Sequence, residues 1–402
     1  MRVAENVTSA PTNEGGPHLS ERTLALVTAA ASLPILWLGY GTDLDVAAVL
    51  RSGELIREGS YQPSRSPGVP VFEAVVAVLD PIGGHLAINL ATATALLAAV
   101  IGCARLVRSY GRPNGELVAL VLLACPVTLI AGTSTTDFVW ALALFIWGAL
   151  TYRQGHPAAS GVLFALSIGA RGSTGLLVLA FLVAEGWPPA ARRRCITTAA
   201  VTGPLALLLY VPAWLAYDRT LGFVDRTNGW QSLANNLGRF LYKNYALGGI
   251  LAAALLVTAV PPLIRSLRRW STDPLVRFGF LGLVAIEGLF LMIPWKLAHL
   301  LPALLVALLW LAATEWNRPI HLWLLAGALA INGVVAFRPL LPDDPDASRS
   351  AAFEPALTVG HLLNDVRCRA RAMDEPPRID SEAWPCALEP LRGPSDPPLP
   401  SP

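Results

Sequence analysis

The 402-residue chain is 54% hydrophobic and only 14% charged, and its mean hydropathy is +0.51. So few charges cannot coat a water-soluble globule of this length, and the composition therefore predicts an integral membrane protein. A formal net charge of only +2 gives no indication of nucleic-acid binding.

About eleven apolar runs predict an all-α, polytopic transmembrane domain over residues 22–338. The spans must be helices, because backbone groups find no water inside lipid, and each needs about 20 residues to cross the hydrocarbon core. In chain order, the predicted spans are 22–41, 85–107, 116–134, 136–152, 157–170, 172–186, 196–216, 246–264, 275–294, 297–316 and 319–338. The apolar segment 67–80 is too short and too rich in proline to cross, so we expect a helix that dips into the membrane and returns.

Arginines that flank short loops indicate which side of the membrane is cytoplasmic. They cluster in three places: Arg105–Arg112, Arg192–Arg194 and Arg265–Arg269. With these inside, residues 1–21 are a cytoplasmic N-terminal tail, whereas loops 42–84 and 217–245 and the tail 339–402 are extracytoplasmic. The outer loops mix acidic with basic residues, which is typical of a working surface rather than of an anchor.

The tail 339–402 is rich in proline and charge, so we expect it to form a small cap on the transmembrane domain. Three of the five cysteines lie in predicted spans or on the cytoplasmic side. The other two, Cys368 and Cys386, both lie in the exported tail. An oxidising compartment and a sparse core favour a disulfide between them.

Loop 42–84 opens with a predicted amphipathic helix. Its apolar residues recur at helical spacing, at Val46, Val49, Leu50, Gly53 and Ile56. That spacing predicts a helix lying on the bilayer surface, with Asp43 and Asp45 at its start. One interpretation of these acids is structural, because Thr42-x-x-Asp45 matches a capping box and carboxylates stabilise helix N-termini. The other is that they carry chemistry at the lipid exit of the first span.

The motifs that follow occur in a specific order. They are Arg65 in a proline-rich turn, the dipping helix, Gly83-Gly84-x-x-Ala87-x-Asn89-Leu, Thr135-Thr136-Asp137 in a turn between two spans, and Gly169-Ala-Arg171. Over about residues 22–190 this order resembles the N-terminal half of GT-C glycosyltransferases, the multi-span enzymes that take sugars from polyprenyl-phosphate carriers. Protein mannosyltransferases and aminoarabinose transferases are members of that class.

The resemblance implies transfer of a sugar from a polyprenyl-phosphate donor to a glycan, lipid or protein acceptor on the outer face of a bacterial inner membrane, within the cell envelope. It implies that Asp43 is the catalytic base, because an acceptor hydroxyl loses its proton as it attacks the anomeric carbon. Some GT-C members use a divalent cation, Mg²⁺ or Mn²⁺. Asp43 and Asp45 would be its oxygen ligands here, although the sequence offers no full ligand set.

Only two of the 30 basic residues are lysines, and both fall at the predicted outer membrane boundary. Lys296 lies in Pro294-Trp-Lys296-Leu-Ala-His299, which resembles the GT-C segment that holds the carrier phosphate. His299 and Lys243 are further candidates for substrate binding. The alternative for both lysines is an anchor at the membrane interface.

The other candidates are ionisable residues near or within the spans. Arg65 and Asp137 lie nearer water and either orient substrate or are merely solvated. Arg171 and Glu287 lie deeper, where ionisable residues usually face a cavity or a partner, and a purely structural pair between them is the alternative. For the whole chain, the rival classes are a transporter or flippase for a lipid-linked or hydrophobic substrate and an inactive scaffold of the same fold.

Overall fold

The computed structural model describes residues 19–43, 45–217, 233–294, 296–340 and 354–371. The α-helices, in chain order, are α1 (Glu21–Ser32), α2 (Asp45–Arg57), α3 (Pro70–Ser109), α4 (Gly115–Ala124), α5 (Pro126–Gly132), α6 (Phe138–Arg153), α7 (Pro157–Ala170), α8 (Thr174–Gly186), α9 (Arg192–Ala216), α10 (Leu233–Ser266), α11 (Pro274–Met292), α12 (Leu301–Ala312), α13 (Pro319–Val334) and α14 (His361–Arg371). Short 3-10 helices occupy Leu33–Ile35, Pro189–Ala191, Leu267–Arg269 and Leu297–Leu300. Strands β1 (Val335–Leu340) and β2 (Glu354–Val359) pair antiparallel.

Within the described residues, four helices are long and apolar enough to cross a membrane: Pro70–Ser109, Pro189–Ala216, Asn236–Arg269 and Pro274–Met292. The pair α4 and α5 makes a fifth if it is counted as one span, but it is bent by 78°. Pro126 explains the bend, because proline lacks an N–H and its ring clashes with the preceding turn. The predicted span 116–134 is therefore bent in the middle, and whether it crosses the membrane stays a prediction.

The other apolar helices have 10–17 residues. At 1.5 Å per residue, a 16-residue helix reaches only about 24 Å, which is less than the roughly 30 Å of a hydrocarbon core. A polytopic, predominantly helical fold is thus confirmed, whereas the count of eleven spans stays a prediction.

The predicted dipping helix and second span form one long element, α3, with a break in its middle. Gly83 and Gly84 have non-helical backbone angles, and Gly84 has a φ of +55°. Glycine reaches this region without the steric cost of a Cβ. The break separates the part that begins at Pro70 from the spanning part that ends at Ser109, as the sequence predicts.

Two predicted spans end earlier than expected. The first helix stops at Ser32, a 3-10 turn follows, and the chain then runs irregularly to Asp43. The last, predicted at 319–338, ends at Val334 and continues as strand β1. Buried strands and membrane helices are both rich in apolar residues, so hydropathy alone cannot separate the start of β1 from the end of the span.

The core behind the site is a cluster of aromatic rings. Phe145 on α6 stacks with Phe164 on α7 and Phe278 on α11, at centroid distances of 5.6 and 5.8 Å, and meets Phe181 on α8 edge-on at 6.0 Å. These distances are typical of favourable aromatic pairs. The cluster fixes α6 and α7 relative to each other, and hence the helix ends that carry Asp137 and Arg171.

The described part of the tail returns to the helical domain. Helix α14 packs against α5 and α13, and the Gly360 N–H donates to the Val334 carbonyl over 2.8 Å. Cys368 is disulfide-bonded. Its predicted partner Cys386 lies outside the described residues, as do positions 218–232 of the predicted loop 217–245.

Candidate active site

The segment that leads to Asp43 has no regular secondary structure, so its buried carbonyl groups need other partners. The Asn89 amide, fully buried on α3, donates to the Leu36 carbonyl over 3.1 Å and to the Gly39 carbonyl over 2.7 Å. The Thr135 N–H donates to the Tyr40 carbonyl over 2.7 Å. These bonds set the path of the chain toward Asp43.

Gly41 brings this segment against the turn that ends at Asp137. Its φ is +121°, and a Cβ added there would lie 2.6 Å from the Cβ of Ser134. Only glycine combines this backbone conformation with so close an approach. The two acid-bearing segments therefore pack directly on each other.

Asp43 and Asp45 lie together at the start of α2. One Asp43 carboxylate oxygen accepts a hydrogen bond from the Asp45 N–H over 2.8 Å, which folds both side chains into one turn. Thr42 does not supply the predicted cap, because its hydroxyl donates instead to Asp365 on α14 over 2.6 Å. Asp45 stands in the first turn of α2, where a carboxylate is favourable.

The Lys296 ammonium bridges these two carboxylates. Its Nζ lies 2.5 Å from Asp43 Oδ1 and 2.7 Å from Asp45 Oδ2. All three side chains remain partly exposed, at 27% for Lys296, 20% for Asp43 and 28% for Asp45. Burial lowers the pKa of Lys296, although the charge of Asp43 opposes the shift.

Arg65 joins this group to a deeper acid. Its guanidinium contacts Asp45 on one side and lies 2.6 Å from Asp137 Oδ1 on the other. The turn that carries Arg65 is held by Glu73, a fully buried residue of α3. The Glu73 carboxylate accepts from the Ser64 N–H over 2.7 Å and from the Tyr61 hydroxyl over 2.5 Å. Sequence reasoning missed Glu73 because it stands inside an apolar run.

The inner end of the group is an ion pair between Asp137 and Arg171. They are 2.8 Å apart, with side chains only 3% and 10% exposed, and the Arg171 guanidinium lies 3.8 Å over the ring of Phe138. Burial opposes ionisation of Asp137. The charges of Arg65 and Arg171 outweigh that effect and lower its pKa to about 2.

Six predicted site residues thus form one connected array, which we call the ion chain. It runs in the order Asp43, Lys296, Asp45, Arg65, Asp137 and Arg171. The array contains three acids and three bases, and it passes from the partly exposed Asp43 and Lys296 to the buried Arg171. The sequence placed these residues in four separate segments, and the fold brings them to one place.

Three further candidates, His299, Lys243 and Glu287, are not members of the ion chain. The His299 ring is 5.7 Å from the ring of Phe138. Lys243, on α10, is close enough to Lys296 for their charges to repel. Glu287 accepts a hydrogen bond from Asn244 over 3.1 Å, and because Arg171 pairs with Asp137, the hypothesis of an Arg171–Glu287 pair is wrong.

The donor set does not fit a resident Mg²⁺ or Mn²⁺ ion. Such hard cations take six or more oxygen ligands, whereas the carboxylates of Asp43 and Asp45 already hold Lys296 and Arg65. In the part of the chain that the structure describes, no group of three or more His, Cys, Asp or Glu side chains is placed to hold a metal. Lys296 occupies the position between the two acids that a cation would take.

No protein-family model and no curated protein sequence matches this chain. A similar solved structure is ArnT from Cupriavidus metallidurans, in a crystal structure bound to undecaprenyl phosphate. The resemblance found in the sequence is thereby confirmed at the level of the fold. The TM-score is 0.52 and the identity 17%, over 77% of this chain and 61% of the ArnT chain. This chain therefore spans about 61% of the length of ArnT, and the likeness extends to the fold.

Proposed function

We propose that this protein is a GT-C glycosyltransferase that moves a sugar from a polyprenyl-phosphate carrier to an acceptor on the extracytoplasmic face of the bacterial inner membrane. The observation that carries the proposal is the contact of Lys296 with both Asp43 and Asp45 at the start of α2. A proton acceptor and a phosphate-binding cation stand within one hydrogen bond of each other there. The undecaprenyl phosphate bound to ArnT, which shares the fold, supports a polyprenyl-phosphate donor.

The reaction follows from these groups. The acceptor hydroxyl attacks the anomeric carbon on the face opposite the phosphate, and the new glycosidic bond forms as the carbon–oxygen bond to the phosphate breaks. The electron pair of that bond leaves with the phosphate, and the anomeric centre inverts. Asp43 takes the hydroxyl proton.

In the proposed reaction, Lys296 first pairs with the two acids and then with the donor phosphate. Without donor, its ammonium neutralises Asp43 and Asp45. When the donor binds, the ammonium stabilises the charge that develops on the leaving phosphate. The exchange also frees the Asp43 carboxylate to accept a proton, so donor binding prepares the base.

Arg65 completes the arrangement, because a planar guanidinium suits a phosphate or a sugar hydroxyl. Asp137 and Arg171 are too deeply buried to touch substrate, so the role of Asp137 is to hold Arg65 in place, and Arg171 in turn holds Asp137. Lys243 and His299 are both close enough to Lys296 for their charges to interact, and they are further proposed contacts for the donor. The proposed orientation puts the N-terminal tail in the cytoplasm and the tail after residue 339 outside.

Donor binding tests the proposal directly. Purified protein in nanodiscs is titrated with undecaprenyl phosphate, and binding is followed by tryptophan fluorescence. We expect Lys296→Ala to weaken binding by about tenfold or more, equivalent to about 1.4 kcal/mol, and Lys296→Arg to restore only part of it, since a fork replaces a compact ammonium. The matched control is Arg193→Ala, an exposed cation at the start of α9. Equal affinity in all variants would reject Lys296 as the phosphate ligand.

A further inference from the structure

One buried arginine of the tail holds together the two segments that carry the acids. Arg369, on α14, is only 1% exposed. Its guanidinium donates to the carbonyls of Leu38 over 3.1 Å and Gly39 over 3.2 Å, and to the Thr133 carbonyl over 2.7 Å. A further bond reaches the Ile35 carbonyl over 3.2 Å.

These carbonyls lie in the two irregular stretches that lead to Asp43 and to Asp137. Buried carbonyls without a partner are costly, and five donors in one rigid plane let a single arginine serve several of them at once. Arg369 therefore fixes the separation between the stretch that ends at Asp43 and the turn that ends at Asp137.

A second residue of the same helix reaches the site more directly. Asp365, one turn before Arg369, accepts a hydrogen bond from the Thr42 hydroxyl over 2.6 Å, and Thr42 immediately precedes Asp43. The Asp365 side chain is itself 4% exposed and lies 3.5 Å from the Arg369 guanidinium. The pair thus contacts the chain on both sides of the turn at Gly41.

We propose that Asp365 and Arg369 are positioning residues that hold the Asp43 carboxylate where it meets the acceptor hydroxyl. The inference rests on the proposed function, in which Asp43 is the base. A base works only within hydrogen-bond reach of its proton, and a displacement of about 1 Å costs on the order of 100-fold in rate. The described part of the tail is therefore part of the site, because α14 acts on Asp43 through Thr42 and through the carbonyls that precede it.

Thr42→Val is the variant that separates positioning from folding. It removes one hydroxyl at nearly constant volume and leaves every bond of Arg369 in place. We expect the maximal transfer rate to fall about tenfold and the donor dissociation constant to stay unchanged. A small drop in melting temperature is expected because the buried Asp365 loses one hydrogen bond, but the protein remains folded at the assay temperature. Thr42→Ser, which keeps the hydroxyl, restores the rate. Arg369→Lys keeps the positive charge but loses the planar fork, so its transfer rate is expected to be lower than that of Thr42→Val.

Asp43→Asn, measured beside these variants, distinguishes the possible failures. If Asp43→Asn is inactive while Thr42→Val keeps the full rate, the positioning role is overturned and the proposed function stands. If the rate of Thr42→Val falls only in proportion to the fraction of unfolded protein at the assay temperature, α14 has a purely structural role and the inference is also overturned. Full activity of Asp43→Asn rejects the proposed base, and the positioning role with it.

Discussion

Replacing Asp43 by asparagine changes the chemistry of the proposed site and very little of its shape. The amide oxygen still accepts from the Asp45 N–H, so the turn at the start of α2 is kept. Lys296 loses one carboxylate at 2.5 Å and keeps Asp45 at 2.7 Å. Because these groups remain partly exposed, we expect a stability cost of no more than about 1 kcal/mol.

The effect on catalysis is expected to be much larger. General-base catalysis contributes about 10²–10⁴-fold, so Asp43→Asn is expected to raise the barrier by about 3–5 kcal/mol. The assay is the initial rate of sugar transfer in proteoliposomes with a defined polyprenyl-phosphate-sugar donor, with donor binding measured in the same preparation. Binding is expected to persist while transfer is lost.

Asp45→Asn is the paired control. Asp45 supports Lys296 and Arg65 but accepts no proton in the proposed reaction, so its loss is expected to cost about tenfold or less. Equal and complete loss at both positions would indicate a shared metal site instead. Full transfer by Asp43→Asn would refute the assignment of the base, whereas absence of transfer by the native protein would favour a transporter.

Three further outcomes are expected. Chelators leave the transfer rate unchanged because Lys296 supplies the positive charge between Asp43 and Asp45; a chelator-sensitive native protein would contradict this. In intact cells, a membrane-impermeant thiol reagent labels a cysteine placed at Ser60 but not one placed at Arg193, and reversed labelling would invert the proposed orientation. Mass spectrometry of a non-reduced digest detects a peptide joining Cys368 to Cys386; if both thiols are free, the predicted disulfide is wrong.

The ion chain was predictable in membership because charge is scarce in this sequence. An ionisable group near lipid needs a partner, so the few that flank the spans, such as Asp43, Arg65 and Lys296, were expected to serve one site. Their pairing was harder to predict. Arg171 pairs with Asp137 rather than with Glu287 because the packing of α6 on α7 decides which charges meet, and packing leaves no periodic trace in the sequence.

The contribution of the tail was not predictable from the sequence. Arg369 stands among other charged residues in a polar segment, and its partners near Leu38 are more than 300 positions away in the chain. Hydropathy likewise gives no warning that the last span stops at Val334 and becomes a strand. Both errors concern long-range contacts, for which local patterns carry little information.

The equal number of acids and bases in the ion chain has a consequence for the reaction cycle. A donor phosphodiester adds one negative charge to the neutral site. After transfer the lipid phosphate gains a second ionisable oxygen, while Asp43 has gained a proton, so the total charge stays constant during the chemical step. The ion chain together with its bound lipid therefore carries the single negative charge of the donor throughout the chemical step. Departure of the doubly charged lipid then leaves behind one proton that has to reach the outer solution, which links the rate of product exit to the proton concentration outside.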